Sequence, residues 1–230
     1  MYNKIIPILW EKSSLSLTEK LRDQFKETFD LIIHHEWMID LLNNKLTLKQ
    51  FQSFMTQEAY IYDFLARQAL NFAINQSDED YDELMRIGIF LYSEASENLR
   101  PIDIESLISC PTKNYCEELE NIWNSASYPH KLLTILVQLW IREGIYYVLA
   151  SEKTYFHGFK VWTERISNAS PQELVSALSR ILHQSFIKNY SQDEEALIYQ
   201  EVFKDLENFL SSVTQFELAI RNHSYQINFN

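Results

Sequence analysis

Apolar residues recur at three- and four-residue steps along almost the whole chain, the period of helices that each turn one face to a core. Leu17, Leu21, Phe25, Phe29 and Ile32 share one such face. Ser16-Leu17-Thr18-Glu19 forms a capping box at its start, in which hydroxyl and carboxylate satisfy two amides that the first helical turn leaves open. This predicts a first long helix ending near His34 and His35. After a break at Asn43-Asn44, Thr47-Leu48-Lys49-Gln50 opens a longer helix with Phe51, Phe54, Met55, Tyr62, Leu65 and Ala66 as its apolar stripe. Further helices are expected over about 79–98, carrying Leu84, Ile87 and Leu91, and about 114–126, carrying Tyr115, Leu119, Ile122 and Trp123. Ser170-Pro171-Gln172-Glu173 combines a cap, a proline at the first helical position and an early acid, ahead of Leu174, Leu178, Ile181 and Leu182. Ser191-Gln192-Asp193-Glu194 repeats the signal before a seam of Ile198, Val202, Leu206, Phe209 and Val213.

The stretch 132–150, entered from Pro129, breaks the amphipathic rule because nearly all of its positions are apolar. A helix apolar all round is the central one of a bundle. It nevertheless holds Gln138, Arg142 and Glu143, and a buried charge is costly unless paired. Gln138 and Arg142, four apart, share a face, whereas Glu143 is turned about 100° from Arg142.

Composition sharpens the fold class. Three glycines and five prolines leave little for hairpins or phosphate-cradling loops, so the chain is all-α. Its 230 residues, 46% hydrophobic, suit one core, and with no repeat or linker the expectation is a single-domain helical bundle over 1–230. A formal charge of −12 without a basic patch argues against nucleic acid and anionic membrane as partners. The stretch 132–150 has about the length of a membrane span, but Arg142 and Glu143 lie near its centre. The apolar run at the N-terminus meets Pro7 and then charge, too soon for a signal peptide, so a cytoplasmic location is expected. Cys110 and Cys116 read as free thiols.

Among chemistry-bearing residues, Glu58 falls inside the apolar stripe of the helix opened by Thr47. It is either an acid/base or ligand-anchoring carboxylate or half of a structural ion pair with an arginine such as Arg142. His34 and His35 suit a helix C-terminus. His130, His157, His183 and His223 show neither HxxxH nor ExxH spacing, so no metal and no cofactor is expected. Trp37, Tyr60, Tyr62, Trp140, Tyr146, Tyr147, Phe159 and Trp162 exceed what packing demands; with Glu58 they suit a flat heteroaromatic ligand.

HHEWMIDLLNNKLTLKQFQSFMTQEAYIYDFLARQAL, over 34–70, resembles the signature of the TenA/thiaminase II family: a His-Pro-Phe element, a polar turn, then a helix with Gln-Asp and paired tyrosines. PTKNYCEELENIW, LVQLWIREG and FKVW resemble later elements of the same family. The resemblance implies a heme-oxygenase-like fold, homo-oligomers, and binding and hydrolysis of an aminopyrimidine from thiamin breakdown. It places Trp37, Glu58, Tyr60, Tyr62, Tyr115, Gln138, Trp140 and Phe159 around the substrate, and Glu58, Glu143 and Glu207 as acid/base groups. Gln138 stands where the family has its nucleophilic Cys, beside Glu58, with Arg142 and Glu143 closing buried pairs around it. Glu58 replaces an Asp and Ile61 one of the tyrosines; Leu210 takes the place of the C-terminal Glu, with Glu207 one turn away. A glutamine amide is no nucleophile, so the covalent mechanism does not carry over. The rival is a TenA-like module that binds a small molecule or a protein without catalysis. Heme and di-iron chemistry on the same scaffold would need a glycine pair or ExxH ligands, both missing from the sequence.

Overall fold

The computed structural model describes residues 17–75, 78–98, 108–151, 159, 162–164, 166, 171–189, 219 and 222–223. Among them there are helices and turns and no strand. The helices are α1 (Leu17–Gln24), α2 (Lys26–Ile33), α3 (Glu36–Leu42), α4 (Leu48–Ile74), α5 (Asp78–Asn98), α6 (Cys110–Ser125), α7 (Tyr128–Ser151) and α8 (Gln172–Asn189).

The first expected helix is two. Phe25, at φ −96° and ψ 11°, interrupts it, although Phe25 N still donates to Leu21 O and Phe29 N to Phe25 O. The bend lets α1 pack on α8 through the buried Leu21 while α2 packs on α7 through Phe29 and Ile32. The helix ends at the histidine pair as expected, but His35 also begins the next one: its Nδ1 accepts the Trp37 amide at 3.1 Å. Asn44 then takes a left-handed conformation, φ 54°, which asparagine tolerates, and Lys45 N and Leu46 N both donate to Asp40 O.

The signal at Thr47 is read as expected. Thr47 Oγ1 accepts from Gln50 N at 3.3 Å and Gln50 Oε1 accepts from Thr47 N at 3.0 Å, closing a capping box at the head of the 27-residue α4. α4 and α5 run antiparallel and form the most extensive helix pair. They approach closely at Gly88, where a Cβ would stand 2.7 Å from the Leu70 side chain. α6 begins four residues before the expected start, because Ser109 caps it through Thr112 N and Pro111 sits in its first turn.

α7 is the central helix. Every residue from 132 to 143 is buried, and α2, α6 and α8 pack around it. Gly144 admits Ile33 of α2, whose Cγ2 would lie 2.7 Å from an added Cβ. Tyr128–Ala150 is long and apolar enough to cross a membrane, but most of that stretch is buried inside the protein, the situation of a core helix. The capping residues Ser16 and Ser170, the signal at 191–194 and the seam from Ile198 to Val213 lie outside the described residues.

Candidate functional site

Gln138 of α7 is buried at the heart of the bundle, and its Nε2 donates to the hydroxyl of Tyr115 of α6 at 3.1 Å. Tyr115 is itself wholly buried. A second polar tie joins α6 to α4: the Ser109 amide donates to Gln57 Oε1 at 2.9 Å. Next to Gln57, Glu58 is 7% exposed, on a face with Phe54, Ile61, Tyr62 and Leu65 that is also buried. Tyr60 is half-buried. α6 is thus tied to α7 by the Tyr115–Gln138 bond and to α4 by the Ser109–Gln57 bond, and Glu58 is buried on α4 beside Gln57.

Arg142, one turn beyond Gln138, does not pair with Glu58. Its Nη2 donates to Glu94 of α5, and both side chains are buried. Of the two readings of Glu58, the ion pair with Arg142 is not the one made: a partner on a third helix claims the guanidinium. Sequence reasoning passed over Glu94, though the same signal that marks Glu58 was present, since Glu94 lies three residues after Leu91 and seven after Ile87 on the inward face of α5.

Glu143 and Trp140 also fall elsewhere. At about 100° per residue they are turned roughly 140° and 200° from Gln138 around α7. Glu143 Oε2 is 2.6 Å from Arg22 Nη1 of α1 in an ion pair. The Arg22 guanidinium lies over the Trp140 ring at 6.0 Å, and Phe29 meets the same ring edge-on at 5.6 Å. Trp140, Arg22 and Phe29 line an open groove of about 390 Å³ with Lys26, Asp30 and Gly144. Neither Trp140 nor Glu143 therefore shares the surroundings of Gln138.

Trp37, fully buried at the start of α3, meets Phe54 at 4.2 Å and stands edge-on to Trp162 at 6.2 Å. Phe159 stacks on Phe51 at 4.1 Å, and Phe51 meets Trp162 at 5.5 Å. The Arg142 Cζ is 6.0 Å from the Trp162 ring centroid, so the buried arginine adjoins this aromatic cluster. Trp37 and Phe159 both pack against Phe51, at 6.3 and 4.1 Å.

His34 Nδ1 donates to Asp30 O and His35 Nε2 to Asn222 Oδ1, so both histidines serve helix ends. Among the described residues no group of three His, Cys, Asp or Glu could hold a metal ion. Cys116 is buried and Cys110 exposed. Glu207 lies outside the described residues.

No family model and no curated protein matches the sequence. Solved structures do match in fold. A TenA homologue from Pyrococcus furiosus superposes with a TM-score of 0.75 over 91% of this chain and 100% of that one, at 13% identity. A TenA homologue from P. horikoshii gives 0.70 over 92% and 99%, at 15% identity. A TenA family transcription regulator from Silicibacter sp. gives 0.71 over 91% and 96%, at 13% identity. The chain has the fold of TenA proteins.

Proposed function

Starting from that shared fold, we propose that this chain binds a flat heteroaromatic ligand of the aminopyrimidine class, anchored by Glu58 and framed by Tyr115, Gln138 and the Trp37–Phe159 aromatic cluster. The observation that carries the reading is the burial of Glu58 on α4, next to the Gln57 that bonds the head of α6, the helix whose Tyr115 bonds Gln138. A carboxylate in apolar packing gains most from a ligand that donates N–H to it, and an amine on a flat ring does so with a charge-assisted bond.

Gln138 gives no covalent catalysis: its amide nitrogen is committed as a donor to Tyr115 and carries no nucleophilic lone pair. Hydrolysis on this scaffold would run through water: Glu58 takes a proton from the water as its oxygen bonds to the carbon bearing the amine, then gives that proton to the departing nitrogen as the C–N bond breaks, so that ammonia leaves and the carboxylate is restored. Glu143, held by Arg22 on the far side of α7, takes no part in this reading. The placement of Gln138 also favours a second reading, in which the chain binds such a ring and transforms nothing.

The test uses 4-amino-5-aminomethyl-2-methylpyrimidine. It should raise the melting temperature of the wild type, and Glu58→Gln should weaken binding by about 1.5–3 kcal/mol, the worth of a charge-assisted hydrogen bond. Ammonia release separates the enzyme from the binding module. No shift with this compound, thiamin or its degradation products would refute the aminopyrimidine reading, and equal binding to both proteins would remove Glu58 from the site.

A further inference from the structure

Arg142, Trp162 and Trp37 form a continuous buried series. The guanidinium carbon is 6.0 Å from the Trp162 ring centroid, and Trp162 stands edge-on to Trp37 at 6.2 Å. All three side chains are more than nine-tenths buried. Arg142 uses Nη2 on Glu94, yet its Nε and Nη1, together with the indole Nε1 of Trp37 and of Trp162, have no hydrogen-bond acceptor among the described residues. Buried N–H groups are nearly always paired, because an unmade bond forfeits the hydration the group has lost. Four such donors lie together on three neighbouring side chains.

Their chemistry is one-sided. Guanidinium and indole nitrogens donate and cannot accept, so whatever satisfies them must present acceptor atoms. The charge balance narrows the class further. Glu94 already neutralises Arg142, and a ligand carboxylate would add a second negative charge beside it, in a core that also holds Glu58. We propose that Arg142, Trp162 and Trp37 are the recognition face for a neutral acceptor group, a carbonyl oxygen or an unprotonated ring nitrogen, carried by an aromatic ligand that stacks among Phe51, Phe54 and Phe159. This shares its aromatic cluster with the proposed function but does not depend on the ring being a pyrimidine.

Three one-ring probes isolate the acceptor: acetophenone, its hydrocarbon counterpart α-methylstyrene, and benzoate. Binding to the full chain is measured by ligand-observed NMR titration, with Trp162→Phe and Trp37→Phe as variants that keep an aromatic ring and lose the N–H together with some bulk, the hydrocarbon probe reporting the effect of the lost bulk alone. Acetophenone should bind the wild type on the order of tenfold more tightly than α-methylstyrene, the factor expected for one buried hydrogen bond, and more tightly than benzoate. Each variant should lose several-fold in acetophenone affinity while α-methylstyrene is unaffected. Equal binding of the ketone and the hydrocarbon, tighter binding of benzoate, a preference that survives both variants, or no binding of any probe would each overturn the proposal. Should a variant fail to fold, the ranking on the wild type decides alone. Since no probe contains a pyrimidine, success here alongside failure of the aminopyrimidine would sink only the latter.

Discussion

The Arg142–Glu94 pair offers the sharpest test of how the core is held. Both side chains are less than a tenth exposed and they meet between α7 and α5. Taking one partner from a buried pair strands the other charge, at a cost of about 3–5 kcal/mol. For a chain of 230 residues each kcal/mol is worth about 2–4 °C in Tm, so single variants should melt about 6–20 °C lower. Of the two single changes, Glu94→Leu should be worse than Arg142→Met, because a stranded carboxylate can discharge by taking a proton whereas a guanidinium cannot. Replacing both together, Glu94→Leu with Arg142→Met, removes the charges and leaves apolar groups of similar bulk, and should recover most of the loss. Urea denaturation of wild type, singles and double gives the coupling energy directly. Single variants costing under about 1 kcal/mol would mean that the pair behaves as a solvated one. A double variant no better than the sum of the singles would refute the claim that the charges stabilise the core only through each other.

Two further outcomes follow from close contacts and from one shifted group. Gly88→Ala should cost about 1–3 kcal/mol, since its Cβ meets both the side chain and, at 3.3 Å, the backbone nitrogen of Leu70; Gly144→Ala, which meets only the Ile33 side chain, should cost less in the same urea titration. The Tyr128 phenol is pushed well above its ordinary value of about 10, first by burial and then by the Asp80 carboxylate to which it donates at 3.2 Å. A raised folded-state value gives stability that is complete below pH of about 10 and drains away as pH climbs toward the folded value, so wild-type Tm should fall more steeply above pH 10 than that of Tyr128→Phe. Parallel curves for the two proteins would show that Tyr128 ionises as freely folded as unfolded.

What the sequence makes legible is what is local. The capping box at Thr47 involves residues three apart, and the central place of α7 follows from an apolar run with no polar face, so both can be read before any packing is known. The bend at Phe25 cannot, because it depends on α1 and α2 docking against different helices. The same divide runs through the site. That Gln138, Arg142 and Glu143 need partners follows from burial alone, but which partners they take is fixed by neighbours far away in sequence: Tyr115, Glu94 and Arg22. Helical rotation already separates Trp140 and Glu143 from Gln138. Only the contacts with Arg22 and Phe29 show that Trp140 faces a groove of its own and that Glu143 pairs with an arginine lining it.

The two thiols differ in a way that matters at the bench. Cys110 is exposed at the first residue of α6, five positions before Tyr115 and next to the Ser109 amide that bonds Gln57, whereas Cys116 is buried. A maleimide dye added to the native protein will therefore attach at one place without any engineered residue, because alkylation tracks access of reagent to sulfur. That attachment point rides on the helix whose phenol holds Gln138. A fluorophore there turns the unaltered chain into its own reporter, seated at the head of the helix that bonds both Gln57 and Gln138.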